Sequence, residues 1–303
     1  MSFFKRISWL LQRRKKFPHD DIHRAGELAE MRLAKLSRAA GKGNGWRIYE
    51  SVRIPDPDGG RREIDMVIIG GNTILIVEQK HWAGSFRITN QHHFIQKRKN
   101  GDEHNHDGVA DRIARKARLL MELHRNRASL SENDLPNLRV VVAMTHQKLE
   151  WPNIPNDLAA EMVNEKGFLD LLKSLNPGPI NQELIDTLDG FNTWDEVHMN
   201  GGLMNKGDVL KLGLGESVED VFSNRESNVT GSTEHRRSFL SLFNNEPSKA
   251  QIKIGKKNIK IRLAQEAVLT MHVVGEKSPR DILWSNIDKI ELSKPPADWN
   301  KGV

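Results

Sequence analysis

The order of apolar runs predicts an α/β chain, with a mixed sheet flanked by helices followed by a small, mostly β C-terminal domain. Three observations carry this. Residues 22–39 repeat their apolar positions at helical spacing, and a longer helix, rich in arginine and lysine, is expected over 109–127. Between and after them lie β-branched runs; Ile74 to Val77 is apolar without alternation, as a buried central strand is, and Leu138 to Met144 is expected to be another buried strand. After about residue 192 the composition shifts, and from Ala250 short alternating runs suggest antiparallel strands with one wet face. The 303 residues agree with about two domains on a length prior of ~150 residues each.

In chain order, the N-terminus carries Lys5, Arg6, Arg13, Arg14, Lys15 and Lys16 with no acid before Asp20. It lacks the longer apolar stretch and small-residue cleavage site of a signal peptide. Three readings of residues 1–20 stand: an amphipathic helix making peripheral contact with an anionic membrane, a basic arm near nucleic acid, or a frayed or self-packed terminus. Ile22, Ala25, Ala29, Leu33 and Leu36 then form a helical stripe, ended by Gly41-Lys42-Gly43-Asn44-Gly45. Strands follow at Trp46–Ile54, Glu63–Ile69, Thr73–Glu78 and Ser85–Thr89, separated by Pro55-Asp56-Pro57-Asp58-Gly59-Gly60 and Gly70-Gly71-Asn72. A basic helix spans 109–127, a strand 138–144, and shorter helices 167–175 and 180–190. Residues 193–248 are expected to be a linker and extension, with an exposed Ser/Asn/Thr-rich loop at 223–234, and 249–303 the β-rich domain.

Composition narrows the chemistry. There are no cysteines, which excludes a disulfide scaffold, thiolate zinc sites and cysteine nucleophiles, and fits a reducing cytoplasm. No apolar run approaches the ~20 residues that span a bilayer. A net charge of +6 permits a polyanionic partner.

If Glu63–Ile69 and Thr73–Lys80 pair as a hairpin, Asp65 comes to the end that carries Glu78 and Lys80. Glu78 and Lys80 are two apart and leave one face. Two carboxylates and an ammonium thus meet at the mouth of an apolar sheet. A hard divalent cation, Mg²⁺ or Mn²⁺, takes such oxygen ligands together with water and phosphate. A nearby ammonium orients or helps deprotonate water, or offsets charge growing on phosphorus. The same residues also suit an ordinary buried ion pair at a strand end.

Asp65, a hairpin, then Glu78-Gln79-Lys80 resembles the core of the PD-(D/E)XK nucleases. More narrowly, Gly26-Glu27-Leu28-Ala29-Glu30, Glu63-Ile64-Asp65-Met66-Val67 and Glu78-Gln79-Lys80 with Gly84 resemble the nuclease-related domain, with Ala29 in place of a second glycine. The likeness continues through the basic helix and the Val140-Val141-Val142 strand, and Trp194-Asp195-Glu196-Val197, Gly201-Gly202 and Gly207-Asp208-Val209-Leu210 look like a tail seen in such proteins. The Asn-Pro and Gln that many relatives carry before the second long helix are not evident near residues 105–112. The resemblance implies a restriction-endonuclease-like sheet in a nuclease domain over 21–192. It implies metal held by Asp65, Glu78, Glu30 and the Gln79 backbone carbonyl, with Lys80 assisting the water. Glu30 matches the family's helical glutamate and borders the stripe, whereas Glu27 is expected to point further into solvent. DNA is the implied substrate, RNA less so, in DNA processing or antiphage defence; a homo-oligomer is compatible. A non-catalytic nucleic-acid-binding or scaffold protein on the same fold is the alternative.

Arg112, Arg115 and Arg118 on the basic helix, with Lys97 and Arg98, suit phosphate contact, which needs charge rather than base-reading geometry. The helix equally suits a solvated face. His92 and His93 are expected on a strand, facing opposite ways. His104-Asn105-His106 lies in an expected polar loop that lacks the ββα pattern of a His-Asn-His nuclease.

Overall fold

The computed structural model describes residues 3–19, 21–58, 60–175, 178–235, 237–238 and 247–297. Asp20, Gly59 and the side chains of Lys5 and Ile22 lie outside them. The chain divides into two compact units, residues 22–192 with 296–303, and residues 1–21 with 193–295. The first helix, α1 (Phe3–Arg14), belongs to the second of these.

The unit built on residues 22–192 runs α2 (Asp21–Gly41), β1 (Arg47–Pro55), β2 (Arg61–Gly70), β3 (Thr73–Lys80), β4 (Gly84–Ile88), β5 (Phe94–Lys97), β6 (Glu103–His106), α3 (Val109–Ala128), β7 (Asn137–Met144), β8 (Leu149–Glu150), β9 (Glu161–Asn164), α4 (Glu165–Lys173) and α5 (Gln182–Asp189). Its main sheet has the order β1-β2-β3-β7-β9. β1, β2 and β3 are antiparallel neighbours, whereas β7 and β9 run parallel to β3. The sheet is therefore mixed, as expected. β3 lies at its centre, with Ile74, Leu75, Ile76 and Val77 fully buried. Both faces are covered, which is why this run does not alternate, and each side chain contributes roughly 1.5–3 kcal/mol of burial. Residues of α3 and α5 share one core with Ile74 and Ile76, while α2 and α4 share the opposite core with Leu75 and Val77. The β2–β3 hairpin closes through Gly71-Asn72, with Gly71 at φ 57°, a positive value that suits the first position of a tight hairpin turn.

Two expectations are corrected in this unit. The expected single sheet is accompanied by a second, β6-β5-β4-β8, and the stretch around His104-Asn105-His106 is not a loop but its edge strand. Polar residues fill both faces of β6, so no apolar alternation announces it. Neither His92 nor His93 is on a strand: His92 has φ 59° in the connection between β4 and β5, and His93 is the last residue of that connection before β5 starts at Phe94.

The other unit continues with β10 (Asp195–Met199), β11 (Met204–Lys211), α6 (Glu216–Ser223), β12 (Val229–Glu234), β13 (Lys249–Ile254), β14 (Lys257–Arg262), β15 (Val268–Val273), β16 (Arg280–Leu283) and β17 (Ile287–Leu292). All eight strands join one antiparallel sheet in the order β14-β13-β12-β17-β10-β11-β15-β16. Residues 193–248 are thus not a linker, since β10, β11 and β12 lie inside the sheet rather than before it. The Ser/Asn/Thr-rich loop expected at 223–234 contains β12, where Val229 and Gly231 are buried and Thr230 and Ser232 exposed. With glycine and small polar residues along one strand, hydropathy alone gives no strand signal. Asp195 joins the sheet to its end: its two oxygens accept backbone N–H groups of Val209 and Ser293, both at 2.8 Å.

The basic N-terminus docks on this same unit. Trp9, Leu10 and Arg13 are buried, the Arg13 carbonyl accepts from Arg237 Nε at 3.0 Å, and Phe17 N–H donates to the Asn200 carbonyl. Of the three readings of residues 1–20, the self-packed one describes the residues seen. Among the described residues, no helix is long and apolar enough to cross a membrane.

Candidate active site

The site forms where β2 and β3 part. Their ladder runs from the turn to Met66 and Val77 and stops there. Asp65 is also skipped by the β1–β2 ladder, which pairs Glu50 with Met66 and then Val52 with Ile64. The skipped partner is Ser51, at φ 49°, a left-handed conformation that few non-glycine residues adopt. Freed from both ladders, the Asp65 carboxylate turns inward, and its Oδ2 accepts the Gln79 backbone N–H at 2.8 Å. A strand residue's N–H and C=O leave by the same edge. The Gln79 carbonyl therefore opens toward Asp65, while the Lys80 carbonyl is taken on the other edge by Thr145 N–H at 3.0 Å.

Glu78 and Lys80 share one face, as their spacing requires. Lys80 Nζ donates to Glu78 Oε1 at 2.7 Å. The other oxygen, Oε2, accepts from Lys116 Nζ of α3 at 3.0 Å. Lys116 was not singled out by sequence reasoning. The available signal is its position on α3, between the buried Ile113 and Ala117 and beside the buried Leu120, which turns it toward the sheet.

Electrostatics set the protonation states. Burial first, then the Glu78 carboxylate, pushes Asp65 up to about 7. Burial also works against ionised Glu78, but Lys80 and Lys116 outweigh it and hold Glu78 below its ordinary value. Burial likewise opposes the Lys80 ammonium, yet Glu78 and then Asp65 outweigh it and raise Lys80. Lys80 is therefore a firmly held cation rather than a free-amine base.

On the opposite face, α2 covers a cavity of about 30 Å³ lined by Glu30, Ser51, Asp65 and Gln79 among others. That is room for a water-sized occupant. Glu30 is exposed at its rim and Glu27 is half-buried, the reverse of the exposure that the stripe suggests. The buried side of α2 is Ala29, Leu33, Ala34 and Ser37, and Ala25 falls outside it. The cavity still favours Glu30. Glu30→Gln is expected to lower activity at least tenfold more than Glu27→Gln when both are assayed at saturating metal. Equal losses would remove Glu30 from the site.

Gly84 sits three residues beyond His81, at φ 90°, where an added Cβ would lie 2.2 Å from the Lys97 carbonyl oxygen. Only glycine permits that approach, which fixes the small sheet beside the site. From this sheet His106 stacks on Trp82 at 4.1 Å. Burial, then His104, Lys80, Arg112 and Arg98, depresses His106. His81 Nδ1 lies 3.1 Å from Thr145 Oγ1, and its ring is 4.9 Å from that of His146. These histidines gather near the site only because separate strands end there, a proximity invisible along the chain. Arg112 is near enough to bear on Lys80. Arg115 and Arg118 are exposed on α3, and Lys97 and Arg98 are exposed where β5 ends.

The residues present fit a hard dication. All donors are oxygens, and a cation between Asp65 and Glu78 would relieve the repulsion and burial that now raise Asp65. Asp65, Glu78 and the Gln79 carbonyl would hold it; Glu30 borders the cavity on the other face, which Asp65 and Gln79 also line.

The family model described as the nuclease-related domain matches residues 25–144, a stretch that holds every residue named in this site except Thr145 and His146. No curated protein and no solved structure matches the chain.

Proposed function

We infer, for a chain that carries a nuclease-related domain of the PD-(D/E)XK superfamily, that it is a metal-dependent nuclease hydrolysing DNA phosphodiester bonds. The carrying observation is the convergence of Asp65, Glu78 and Lys80 at the open end of one strand pair. Mg²⁺ or Mn²⁺ would supply Lewis acidity and a more acidic bound water. Asp65 sheds its proton as pH rises through about 7 and then presents a full carboxylate. Lys80, kept protonated by Glu78 and Asp65, holds the attacking water and offsets negative charge developing on the phosphoryl oxygens. DNA processing or defence against foreign DNA suits such an activity.

A plasmid-degradation assay with Mg²⁺, Mn²⁺ or EDTA tests the reading. Wild type should degrade DNA in either metal and not in EDTA, and Asp65→Ala should not degrade it at all. If wild type leaves plasmid, single-stranded DNA and RNA intact under every metal, the non-catalytic binding protein is the better account. The pairing of both Glu78 oxygens with lysines favours that second reading, because two ammoniums at the carboxylate oppose a further cation there.

The exposed arginines of α3 bear on substrate binding. Replacing Arg112, Arg115 and Arg118 with Gln should weaken DNA binding about uniformly across sequences. Each lost phosphate contact should reduce the slope of log K against log salt by ~0.9 for duplex DNA. An unchanged slope would make α3 a solvated face.

A further inference from the structure

We propose a second metal site, formed by Glu196, His198 and Glu291 in the eight-stranded sheet, that takes a borderline dication of the Zn²⁺ class. Glu196 and His198 lie two apart on β10 and share a face; Glu291 on β17 stands directly opposite Glu196. One ligand atom from each of the three lies within 4.8 Å of the others. All three side chains are half-buried, which leaves room for water to complete the coordination.

Two features point to a ligand rather than a chance of packing. Carboxylates placed directly opposite each other across a ladder repel. Within the same cluster, His198 Nε2 is shielded from solvent and makes no well-aligned hydrogen bond; it faces Glu196 Oε2 at 3.5 Å, an ion-pair distance that already places the ring nitrogen against one carboxylate of the set. A shielded ring nitrogen whose one partner is poorly aligned is under-satisfied, which costs stability. A metal ion bonded to it removes that cost and the carboxylate repulsion together. The flanking cations do part of this work already: Lys206 stands across from Glu196, and Lys289 is paired with Glu291.

An imidazole nitrogen with two carboxylates suits Zn²⁺ better than Mg²⁺, which prefers oxygen alone. Zinc ligands at about 2.0–2.2 Å lie roughly 3.5 Å apart, so the three side chains need to close by about an ångström. The ion would tie β10 to β17, neighbours at the middle of the sheet, and stabilise the folded unit by RT ln(1 + [Zn²⁺]/Kd). The site is independent of the nuclease reading, and its donor set separates it from the all-oxygen site at Asp65 and Glu78.

The 303-residue chain, stripped with EDTA and dialysed, should be titrated with Zn²⁺ by calorimetry in an Asp65→Asn background, which disables the other site. One equivalent should bind, and Zn²⁺ should raise the unfolding temperature. His198→Gln and Glu291→Gln, added singly, should each weaken binding at least tenfold and abolish that rise. If both variants bind Zn²⁺ as the background protein does, the other histidines are the ligands and the proposal fails. It also fails if the background protein shows no saturable binding. Should His198→Gln alone fold poorly by circular dichroism, Glu291→Gln decides, because the amide keeps the shape and loses only the charge.

Discussion

Lys80→Ala is expected to cut DNA cleavage by about 10²–10³-fold, the usual loss when one preorganised charge-stabilising donor is removed. Metal binding should survive it, because an ammonium offers no lone pair to a metal. It should even strengthen, since Glu78 Oε1 is then released from its 2.7 Å bond to Lys80. Single-turnover cleavage with saturating Mn²⁺ and a parallel Mn²⁺ titration separate the two effects. Loss of metal binding with Lys80, and its persistence without Glu78, would reverse the roles assigned to these residues. Lys80→Arg is not a faithful rescue: the guanidinium keeps the charge but is larger and planar, in a site where Lys116 already occupies the neighbouring oxygen.

Asp65→Asn should abolish metal-dependent cleavage and, in EDTA, make the protein more stable at pH 8. The sign follows from the raised carboxyl. Asp65 moves from an ordinary value near ~3.9 when unfolded to about 7 when folded. The folded state therefore binds more protons across that interval, and stability falls as pH rises from about 4 through about 7. Below the lower limit both states are protonated and the penalty is absent; above the upper limit it is complete. Asparagine is neutral throughout, so its advantage in unfolding temperature should be largest at pH 8 and vanish near pH 4. Saturating Mg²⁺ or Mn²⁺ should reverse the order at pH 8, because only the carboxylate gains from the cation. An Asp65→Asn protein whose stability tracks wild type at every pH in EDTA would show that the Asp65 proton is not held as described.

Much of the nuclease-like unit was legible in the chain because its signals are local. The apolar run Ile74 to Val77, the Gly-Gly-Asn turn and the two-residue spacing of Glu78 and Lys80 each act within a few residues. Together they dictate a hairpin with its charged end opposite Asp65. The basic helix expected over 109–127 forms as Val109–Ala128, and its buried Ile113, Ala117 and Leu120 recur at helical spacing. Gly84 could be quoted from the sequence, but its reason, the Lys97 carbonyl at its back, exists only in space.

What the linear pattern left open was decided by contacts between distant residues. β6 and β12 carry too little apolar alternation to stand out, and they become strands because β5, β13 and β17 offer them hydrogen-bonding edges. The same cause turned an expected linker into the middle of a sheet. Protonation at the site is also non-local. Asp65 is raised because burial and Glu78 act on it at once, and Lys116 reaches Glu78 from a helix 38 residues along the chain. Periodicity reports which face of an element is dry. It carries no record of which charges meet there, since that depends on how the elements pack, and Coulomb energies in a dry site grow steeply as those charges approach.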